Sequence, residues 1–254
     1  MSARTKIWPE PHSRPQRHSL AVLLALALSA MGLAAQQAPI KTSAHSHAAA
    51  QADPAINATP LKALGNKSAP ITMEVFSDYQ CPSCGAFFEN TLKAMINDYV
   101  AQGKVYLVHH DFPLQMHAYS GQAARWANAA AKIGKFQDVD GALFDNQAAW
   151  TADGNLQKFV EGAMSPADFK RVQTILKPCT SPAPTSHGDG SAPQGDHACP
   201  VDVYIVQDIV AGYQVPVKAT PTFIVEYKGQ KYPASSGIVT WPILKQFFDS
   251  LLSQ

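Results

Sequence analysis

The stretch Phe76–Phe87, "FSDYQCPSCGAF", places Cys81 and Cys84 two residues apart, where an apolar run gives way to helical spacing. If a helix begins at Cys81, Pro82 takes the first helical position, where its missing N–H costs nothing. The Cys81 sulfur then lies at the positive end of the helix dipole, which favours the thiolate over the thiol. Cys84 follows one turn later and points inward. The spacing therefore predicts one attacking sulfur and one resolving sulfur.

The same Cys-x-x-Cys spacing also occurs in zinc sites and in structural disulfides. Zinc needs two more ligands, but the sequence has no second Cys-x-x-Cys, and the adjacent His109 and His110 should point to opposite faces of a strand. A purely structural Cys81–Cys84 disulfide would close too small a loop to remove much chain entropy. A redox pair is favoured, a Cys/His metal-binding module is the alternative, and no metal or other cofactor is predicted.

The residues around this stretch predict an α/β domain. The strand-like runs "ITMEVF" and "KVYLVHHDF" flank a helical pattern, which predicts a β-α-β unit with parallel strands. A helical block follows, in which Ser165 and Pro166 are typical of an N-cap and a first helical residue. The helix "VDVYIVQDIVAGY", two strand-like runs and an amphipathic helix complete the chain. Because the closing strands must complete the first sheet, we predict one domain with a helical insertion at about 114–200.

The N-terminal region predicts export. Basic residues precede an apolar run, Leu20–Ala35, which has the layout of a secretory signal. Residues 1–35 are either a cleaved signal peptide or an uncleaved membrane anchor, and both interpretations stay open. Residues 36–69 lack a sustained period and are predicted to be a flexible linker before the domain at 70–254. Export places the domain outside the cytoplasm, in a periplasm or cell envelope, where disulfides persist.

The overall charge does not point to a nucleic acid partner. The 254 residues carry 20 Lys and Arg against 19 Asp and Glu, a formal net charge of +1. Such a balance provides no electrostatic field that would attract a polyanion. The membrane contact that the sequence does suggest is a tether through the N-terminus.

A second pair of cysteines, Cys179 and Cys199, brackets a stretch rich in Pro, Gly, Ser and Asp. This stretch has no means of packing itself, so a disulfide between the two would act as a structural staple. Closing the loop would stabilise the fold by roughly 3 kcal/mol in the chain-entropy model. Two alternatives stay open: a second redox pair that relays electrons from the first, and a metal clip that uses His187 and His197.

Three separated motifs resemble the DsbA-like branch of the thioredoxin superfamily. They are "EVFSDYQCPSCGAF", "HDFPLQMHAYSGQAARWANAAAKIGKF" with "LFDNQAAW", and "KATPTFIV". The resemblance runs from about Ala69 to Gln254 and implies a thioredoxin-like fold with a helical insertion. It also implies the activity of an exported thiol:disulfide interchange protein. This sequence has Pro82-Ser83 between its cysteines, where the best-known strong oxidase of the family has Pro-His.

The resemblance implies roles for individual residues. Cys81 corresponds to the exposed nucleophile and Cys84 to its buried resolver. Thr220-Pro221 corresponds to the loop that packs against the cysteines through a cis bond, where the Thr220 backbone pairs with an extended substrate. Glu74 matches a buried carboxylate of raised pKa that relays the proton of the resolving thiol. The plainer alternatives are a strand-entry turn at Thr220-Pro221 and a half-exposed strand glutamate at position 74.

The histidines near the second strand invite acid-base roles, but we predict surface or packing roles for His109, His110 and His117. Ser83 has a hydroxyl that could donate a hydrogen bond but carries no charge, so we predict an intermediate to oxidising potential and a Cys81 pKa below ~8.5. The first functional hypothesis is an oxidase that acts on extended thiol-containing polypeptides and is reoxidised by a membrane redox partner. The second is an isomerase or reductase of the same fold. The third is a non-enzymatic module, either the Cys/His metal-binding module or a scaffold without redox activity.

Overall fold

The computed structural model describes residues 61–191 and 193–254. At the centre of this part of the chain is a mixed sheet in the order β1-β3-β2-β4-β5, with β6 also paired to β4. Strands β2 and β3 are parallel, whereas β4 is antiparallel to β2. The predicted α/β class is confirmed. The strands are β1 (Ala63–Leu64), β2 (Ile71–Ser77), β3 (Val105–Asp111), β4 (Thr222–Tyr227), β5 (Gln230–Lys231) and β6 (Ser235–Ser236).

A helical crossover joins the two parallel strands. It begins with α1 (Pro82–Phe87), passes through a π-helical turn at Phe88–Leu92 and α2 (Lys93–Met95), and ends in a π-helical turn at Ile96–Val100. The predicted β-α-β unit is therefore present, and its helix begins directly after the first cysteine. The crossover residues that pack on the sheet include those whose spacing indicated a helix, Phe88, Leu92, Met95 and Tyr99.

A block of helices lies between β3 and β4. Helix α3 is buried along nearly its whole length and contacts α4, α7 and α8, because its many alanines allow close approach. Ser165 accepts a hydrogen bond from Asp168 N at the start of α7, with Pro166 as first helical residue. The helices are α3 (Ser120–Ala131), α4 (Phe136–Asp145), α5 (Gln147–Trp150), α6 (Gln157–Gly162), α7 (Pro166–Leu176), α8 (Asp202–Gln214) and, after the sheet, α9 (Trp241–Leu252).

The sheet separates two hydrophobic clusters. Successive strand residues point to opposite faces, so the residues of β2 alternate between the clusters. Met73 and Val75 pack on the face that also buries Cys84. Phe76 packs on the other face, against Ile205 of α8. The cysteine pair therefore lies on one side of the sheet, and α8 covers the other.

The Cys179–Cys199 disulfide closes the loop between α7 and α8. Arg125 of α3 anchors this loop by donating to the Ser181 and Pro182 carbonyl oxygens at 2.7 and 3.3 Å. The same guanidinium forms a two-pronged ion pair with the buried Asp202, with both N–O distances at 2.7 Å. A long polar loop with little core of its own is thus held by one covalent bond and one buried arginine.

The predicted boundary between linker and domain at residue 69 is wrong. Residues Ala63–Leu64 form β1, which pairs with β3, and Lys62 is buried. The Lys62 ammonium binds the carboxylates of Asp111 and Asp208, the latter at 2.6 Å. A two-residue strand has no period to detect, and lysine is seldom buried, so the sequence pattern offered no signal here.

The predicted leader at residues 1–35 and most of the predicted linker lie outside the described residues. Within the described part of the chain, no helix combines the length and the apolar character needed to cross a bilayer.

Candidate active site

Cys81 is the residue from which the active-site helix begins. Its backbone is extended, with φ −71° and ψ 120°, and Pro82 takes the first position of α1. The Cys81 carbonyl accepts hydrogen bonds from the N–H groups of Cys84 and Gly85 at 3.0 and 3.2 Å. The Cys81 side chain therefore lies at the end of the helix where backbone N–H groups are free.

The loop that precedes β4 closes over this sulfur. Cys81 Sγ lies 3.4 Å from the Thr220 carbonyl oxygen, and the Thr220–Pro221 peptide bond is cis. Thr222 fixes the loop, because its hydroxyl donates to the Ala219 carbonyl at 2.6 Å. The structure thus brings the cysteine pair and the Thr220-Pro221 pair together, although Cys81 and Thr220 are 139 residues apart along the chain.

The two cysteines have opposite pKa shifts. The hydrogen bond from the Cys84 thiol lowers the pKa of Cys81 to about 5, and contributions from Thr220 and from the backbone N–H groups of Ser83 and Cys84 act in the same direction. Burial raises the pKa of Cys84 well above its usual value, and the neighbouring Cys81 adds to that shift. At neutral pH Cys81 is therefore a thiolate and Cys84 a thiol.

Both cysteines are buried, so the exposed position that the resemblance implied for Cys81 is wrong. Cys84 lies deeper than its partner, with 2% of its surface exposed against 8% for Cys81. The backbone N–H of Asp78 donates to the Cys84 sulfur at 3.4 Å. An incoming sulfur therefore reaches Cys81 first, while Cys84 is placed to attack a mixed disulfide from inside the protein.

Gln147 of α5 holds the active-site loop from the helical insertion. Its side-chain amide donates to the carbonyls of Tyr79 and Cys81 at 2.7 and 2.9 Å. A side chain on Gly85 would overlap the Gln147 amide, so glycine leaves room for this clamp. We did not predict a role for Gln147, although it lies within the motif "LFDNQAAW".

Glu74 does not occupy the predicted place beneath the cysteines. It alternates with Met73 and Val75 along β2 and so points to the opposite face, the face covered by α8. Its carboxylate lies 3.1 Å from His110 Nε2 and 3.5 Å from Lys231 Nζ, and the hydrogen bond with His110 holds the pKa of Glu74 below its usual value. The predicted proton relay through a Glu74 of raised pKa is therefore wrong.

The acid of raised pKa on the cysteine face is Asp140. Burial raises the pKa of this carboxyl, which accepts a hydrogen bond from Tyr79 Oη at 2.9 Å and lies 3.6 Å from His109 Nδ1. The sequence contained a signal that our prediction missed. Asp140 occupies a core-facing position in the helical pattern of α4, whose other members are Phe136, Val139, Leu143 and Phe144.

The three histidines occupy different environments. His109 stacks on Tyr79 on the cysteine face, whereas His110 stacks on Phe76 on the α8 face, so the two side chains do point to opposite sides of β3. His117 follows β3 and lies 2.7 Å from an Asp78 carboxylate oxygen. Packing therefore accounts for the placement of His109 and His110, but His117 lies beside the residues that precede Cys81.

A pH dependence follows from the cluster around His110. Burial lowers the pKa of His110, but hydrogen bonds and charges from Asp208 and Glu74 outweigh burial and raise it to about 9. Because the folded-state pKa lies above the unfolded value of ~6.5, the stabilising contribution is complete below pH 6.5 and is lost as pH rises through 9.

We therefore expect the unfolding free energy of the wild-type protein to fall by up to about 3 kcal/mol more than that of His110→Gln between pH 6.5 and 9.5. Urea unfolding across this range measures both profiles. Parallel profiles for the two proteins would contradict the assignment.

The comparisons with known proteins agree with this geometry. Residues 57–238 match the thioredoxin family. Solved structures of the same fold include α-DsbA1 of Wolbachia pipientis, 19% identical with a TM-score of 0.57, covering 76% of this chain and 90% of that one. DsbA2 of Pseudomonas aeruginosa is 20% identical with a TM-score of 0.53, covering 76% and 95%. BdbD of Bacillus subtilis is also 20% identical with a TM-score of 0.53, covering 76% and 92%.

A curated relative in Salinispora tropica, Na(+)/H(+) antiporter NhaA 3, is 25% identical over 193 residues. The matched region is 74% of this chain but 25% of that protein, so the chain spans about a quarter of the relative's length. The family match covers most of the chain, and the predicted thioredoxin-like fold with a helical insertion is confirmed. The chain belongs to the thioredoxin family and has the fold of its DsbA-like members.

Proposed function

We propose that this chain is an exported thiol-disulfide oxidoreductase that exchanges disulfides with folding proteins through Cys81 and Cys84. The observation that carries the proposal is the contrast between the two sulfurs. Cys81 heads a helix with a pKa lowered to about 5, while burial keeps Cys84 protonated. Cys81 is thus a good leaving group that faces the loop at Thr220, and Cys84 stays protonated until a mixed disulfide forms at Cys81.

The exchange reaction uses the two sulfurs in sequence. In the oxidising direction a substrate thiolate attacks Sγ of Cys81 in the Cys81–Cys84 disulfide, and Cys84 leaves with the electron pair. A second substrate thiolate then attacks the substrate sulfur of the mixed disulfide, and Cys81 leaves as a thiolate. The substrate dithiol has lost two electrons and two protons, and the protein has become a dithiol. A stable Cys81 thiolate favours this direction.

An extended polypeptide is the substrate that fits the loop beside Cys81. Thr220 and Pro221 come directly before β4, and the Thr220 carbonyl faces the Cys81 sulfur. A polypeptide segment that pairs with the Thr220 backbone, strand to strand, would carry its own cysteine to this sulfur. We propose Thr220 and Pro221 as the substrate-binding residues on these grounds.

The direction of exchange separates the oxidase from an isomerase or reductase. A Cys81 pKa of about 5 lies between the values of roughly 7 for thioredoxin and 3.5 for DsbA. The corresponding potentials are about −270 and −120 mV, so we place this protein between them and favour the oxidase. In the metal-binding alternative, three or more ligands would have to cluster, and none of the described residues form such a cluster.

The equilibrium with glutathione tests the proposed function. Purified protein is equilibrated over a range of reduced to oxidised glutathione, quenched with acid, alkylated and weighed by mass spectrometry. We expect a midpoint between about −270 and −120 mV. A midpoint at or below thioredoxin's value would contradict the oxidase role, and retained metal in the purified protein would favour the third hypothesis.

The second cysteine pair provides a matched control for that equilibrium. We propose that the Cys179–Cys199 disulfide is a staple, because Arg125 and the disulfide anchor the same loop. The variant Cys179→Ala/Cys199→Ala is then expected to unfold at lower temperature but to keep the glutathione midpoint. A shifted midpoint would instead indicate electron relay between the pairs.

Location and recycling complete the proposal. The apolar run Leu20–Ala35 with its preceding basic residues supports export to a periplasm or cell envelope, as a secreted domain or one tethered through its N-terminus. Each turnover leaves the protein as a dithiol, so an oxidant must regenerate the disulfide, and we propose a membrane redox partner for that step.

A further inference from the structure

The thiolate at Cys81 has no cationic neighbour within its own motif. Pro82 and Ser83 separate the cysteines, and neither carries a charge. A cation beside a thiolate lowers its pKa and makes it a better leaving group. The segment that follows β3 brings such a residue, His117, to the active-site loop.

Asp78 joins that segment to the active-site loop. Its side chain is fully buried, and its carboxylate accepts hydrogen bonds from four groups: Gln80 N at 2.7 Å, Leu114 N at 2.8 Å, the Ser120 hydroxyl and His117 Nδ1 at 2.7 Å. The backbone N–H of the same aspartate donates to the Cys84 sulfur. One carboxylate thus fixes both the approach to the cysteines and the position of the imidazole.

A second bond supports this arrangement. The backbone N–H of Tyr119 donates to Gln80 Oε1 at 2.8 Å. Tyr119 lies two residues after His117, and Gln80 directly precedes Cys81, so this bond connects the two segments. The His117 backbone is itself held by a hydrogen bond to the Leu114 carbonyl at 2.9 Å. The imidazole is therefore placed by a hydrogen-bonded turn.

The charge on His117 is set by what faces it. Its Nδ1 donates to Asp78, whereas its Nε2 has no hydrogen-bond partner among the described residues, and 19% of the side chain is exposed. The hydrogen bond with Asp78 raises the pKa of His117, and the charges on Asp78 and on the Cys81 thiolate act in the same direction, against partial burial. These two anions are the charged groups that act on the imidazole.

We propose that His117, positioned by Asp78, supplies the positive charge beside the Cys81 thiolate that Pro82 and Ser83 lack, and so promotes the departure of Cys81 from the mixed disulfide. The proposal rests on the proposed function. In the step concerned, a substrate thiolate forms the new substrate disulfide, the bond to Cys81 Sγ breaks, and the electron pair stays on Sγ. The imidazolium stabilises that pair through its charge and transfers no proton.

The variant His117→Gln tests the proposal, because glutamine keeps an N–H donor for Asp78 but carries no charge. We expect the pKa of Cys81, measured from the pH dependence of its alkylation rate, to rise by about half a unit to one unit. In a Cys84→Ser background, where the Cys81 mixed disulfide cannot be resolved internally, transfer of the glutathione sulfur from Cys81 to an added thiol, with Cys81 leaving as the thiolate, should slow by about two- to fivefold. The control His197→Gln, at an exposed residue of the stapled loop, should change neither.

A reciprocal measurement needs no substitution at position 117. The NMR titration of His117 should give a lower pKa in Cys81→Ser than in the reduced wild-type protein, because the thiolate that favours the imidazolium is absent. Equal His117 titrations in these two proteins would overturn the proposal, even if His117→Gln fails to fold. An unchanged Cys81 pKa in folded His117→Gln would overturn it as well.

These outcomes are distinct from failure of the proposed function. If wild-type Cys81 titrates like free cysteine and exchanges no disulfide, the function itself is wrong. If wild-type Cys81 has a low pKa and exchanges disulfides, but His117→Gln behaves like the wild-type protein, the inference about His117 alone fails.

Discussion

Replacing Cys81 by serine is expected to reduce disulfide transfer to the rate of the uncatalysed reaction. A serine hydroxyl stays protonated and cannot form the mixed disulfide through which exchange proceeds. The assay uses a reduced substrate protein whose native form contains disulfides. Its oxidative refolding is measured as the recovery of its activity. Wild-type protein with its Cys81–Cys84 disulfide preformed should oxidise the substrate in proportion to the amount added.

The matched control for Cys81→Ser is Cys84→Ser. This variant keeps the attacking sulfur and loses the resolving one. When it is given a substrate that already contains a disulfide, the Cys81 thiolate should attack that bond, one substrate sulfur should leave, and the mixed disulfide at Cys81 should accumulate. Non-reducing electrophoresis would show this complex, and reductant would release it. Transfer by Cys81→Ser at the wild-type rate, or trapping by Cys81→Ser instead of Cys84→Ser, would contradict the assigned roles.

Replacing Lys62 by methionine is expected to destabilise the fold by about 3 to 5 kcal/mol. Lys62 is 5% exposed and binds Asp111, whose side chain is 1% exposed, together with Asp208. Methionine fills a similar volume but leaves the Asp111 carboxylate buried without its cation. Chemical unfolding followed by circular dichroism measures the loss.

Two further variants serve as controls for Lys62→Met. Lys67→Met removes an exposed lysine from the same segment and should change stability by less than about 0.5 kcal/mol. Lys62→Met combined with Asp111→Asn removes both charges and should recover part of the loss, because a neutral amide costs less to bury than an unpaired carboxylate. A Lys62→Met protein as stable as the Lys67→Met protein would show that β1 is not held by this ion pair.

The fold was predictable because its signals were periodic and local. The strands β2 and β3 and the crossover between them were apparent from apolar spacing, and the start of α1 from a proline directly after Cys81. The thioredoxin family match and the predicted α/β class with its helical insertion agree. Such signals arise within a few residues of each other and need no knowledge of distant contacts.

The errors arose where a side chain's environment depends on distant partners. Strand alternation fixed that Glu74 points away from the face of Met73, but which face holds the cysteines depended on where α1 crosses the sheet. The buried Lys62 binds the carboxylates of two residues that lie 49 and 146 positions later in the chain. Asp140 was detectable as a polar residue at a core position of α4, and attention to that mismatch would have identified it.

Some residues of the site could likewise be predicted from local spacing, whereas others depend on contacts between distant parts of the chain. A two-residue spacing was enough to propose Cys81 and Cys84, and the structure adds that the thiol of Cys84 contributes most to the low pKa of Cys81, ahead of the backbone N–H groups. The clamp by Gln147 and the link from Asp78 to His117 depend on turns whose geometry the sequence does not reveal. Gln147 and His117 can be identified as candidates only from their contacts with the active-site loop in the folded protein.

The ionisation of the Cys81 sulfur can be measured from the pH dependence of its alkylation in the reduced wild-type protein. Reaction with iodoacetamide from pH 3 to 10, followed by peptide mapping, reports the fraction of thiolate at each sulfur. We expect a midpoint for Cys81 near pH 5 and no reaction at Cys84 in the neutral range, because burial raises the pKa of Cys84 well above its usual value. A Cys81 midpoint near ~8.5, the value of an unperturbed thiol, would contradict it.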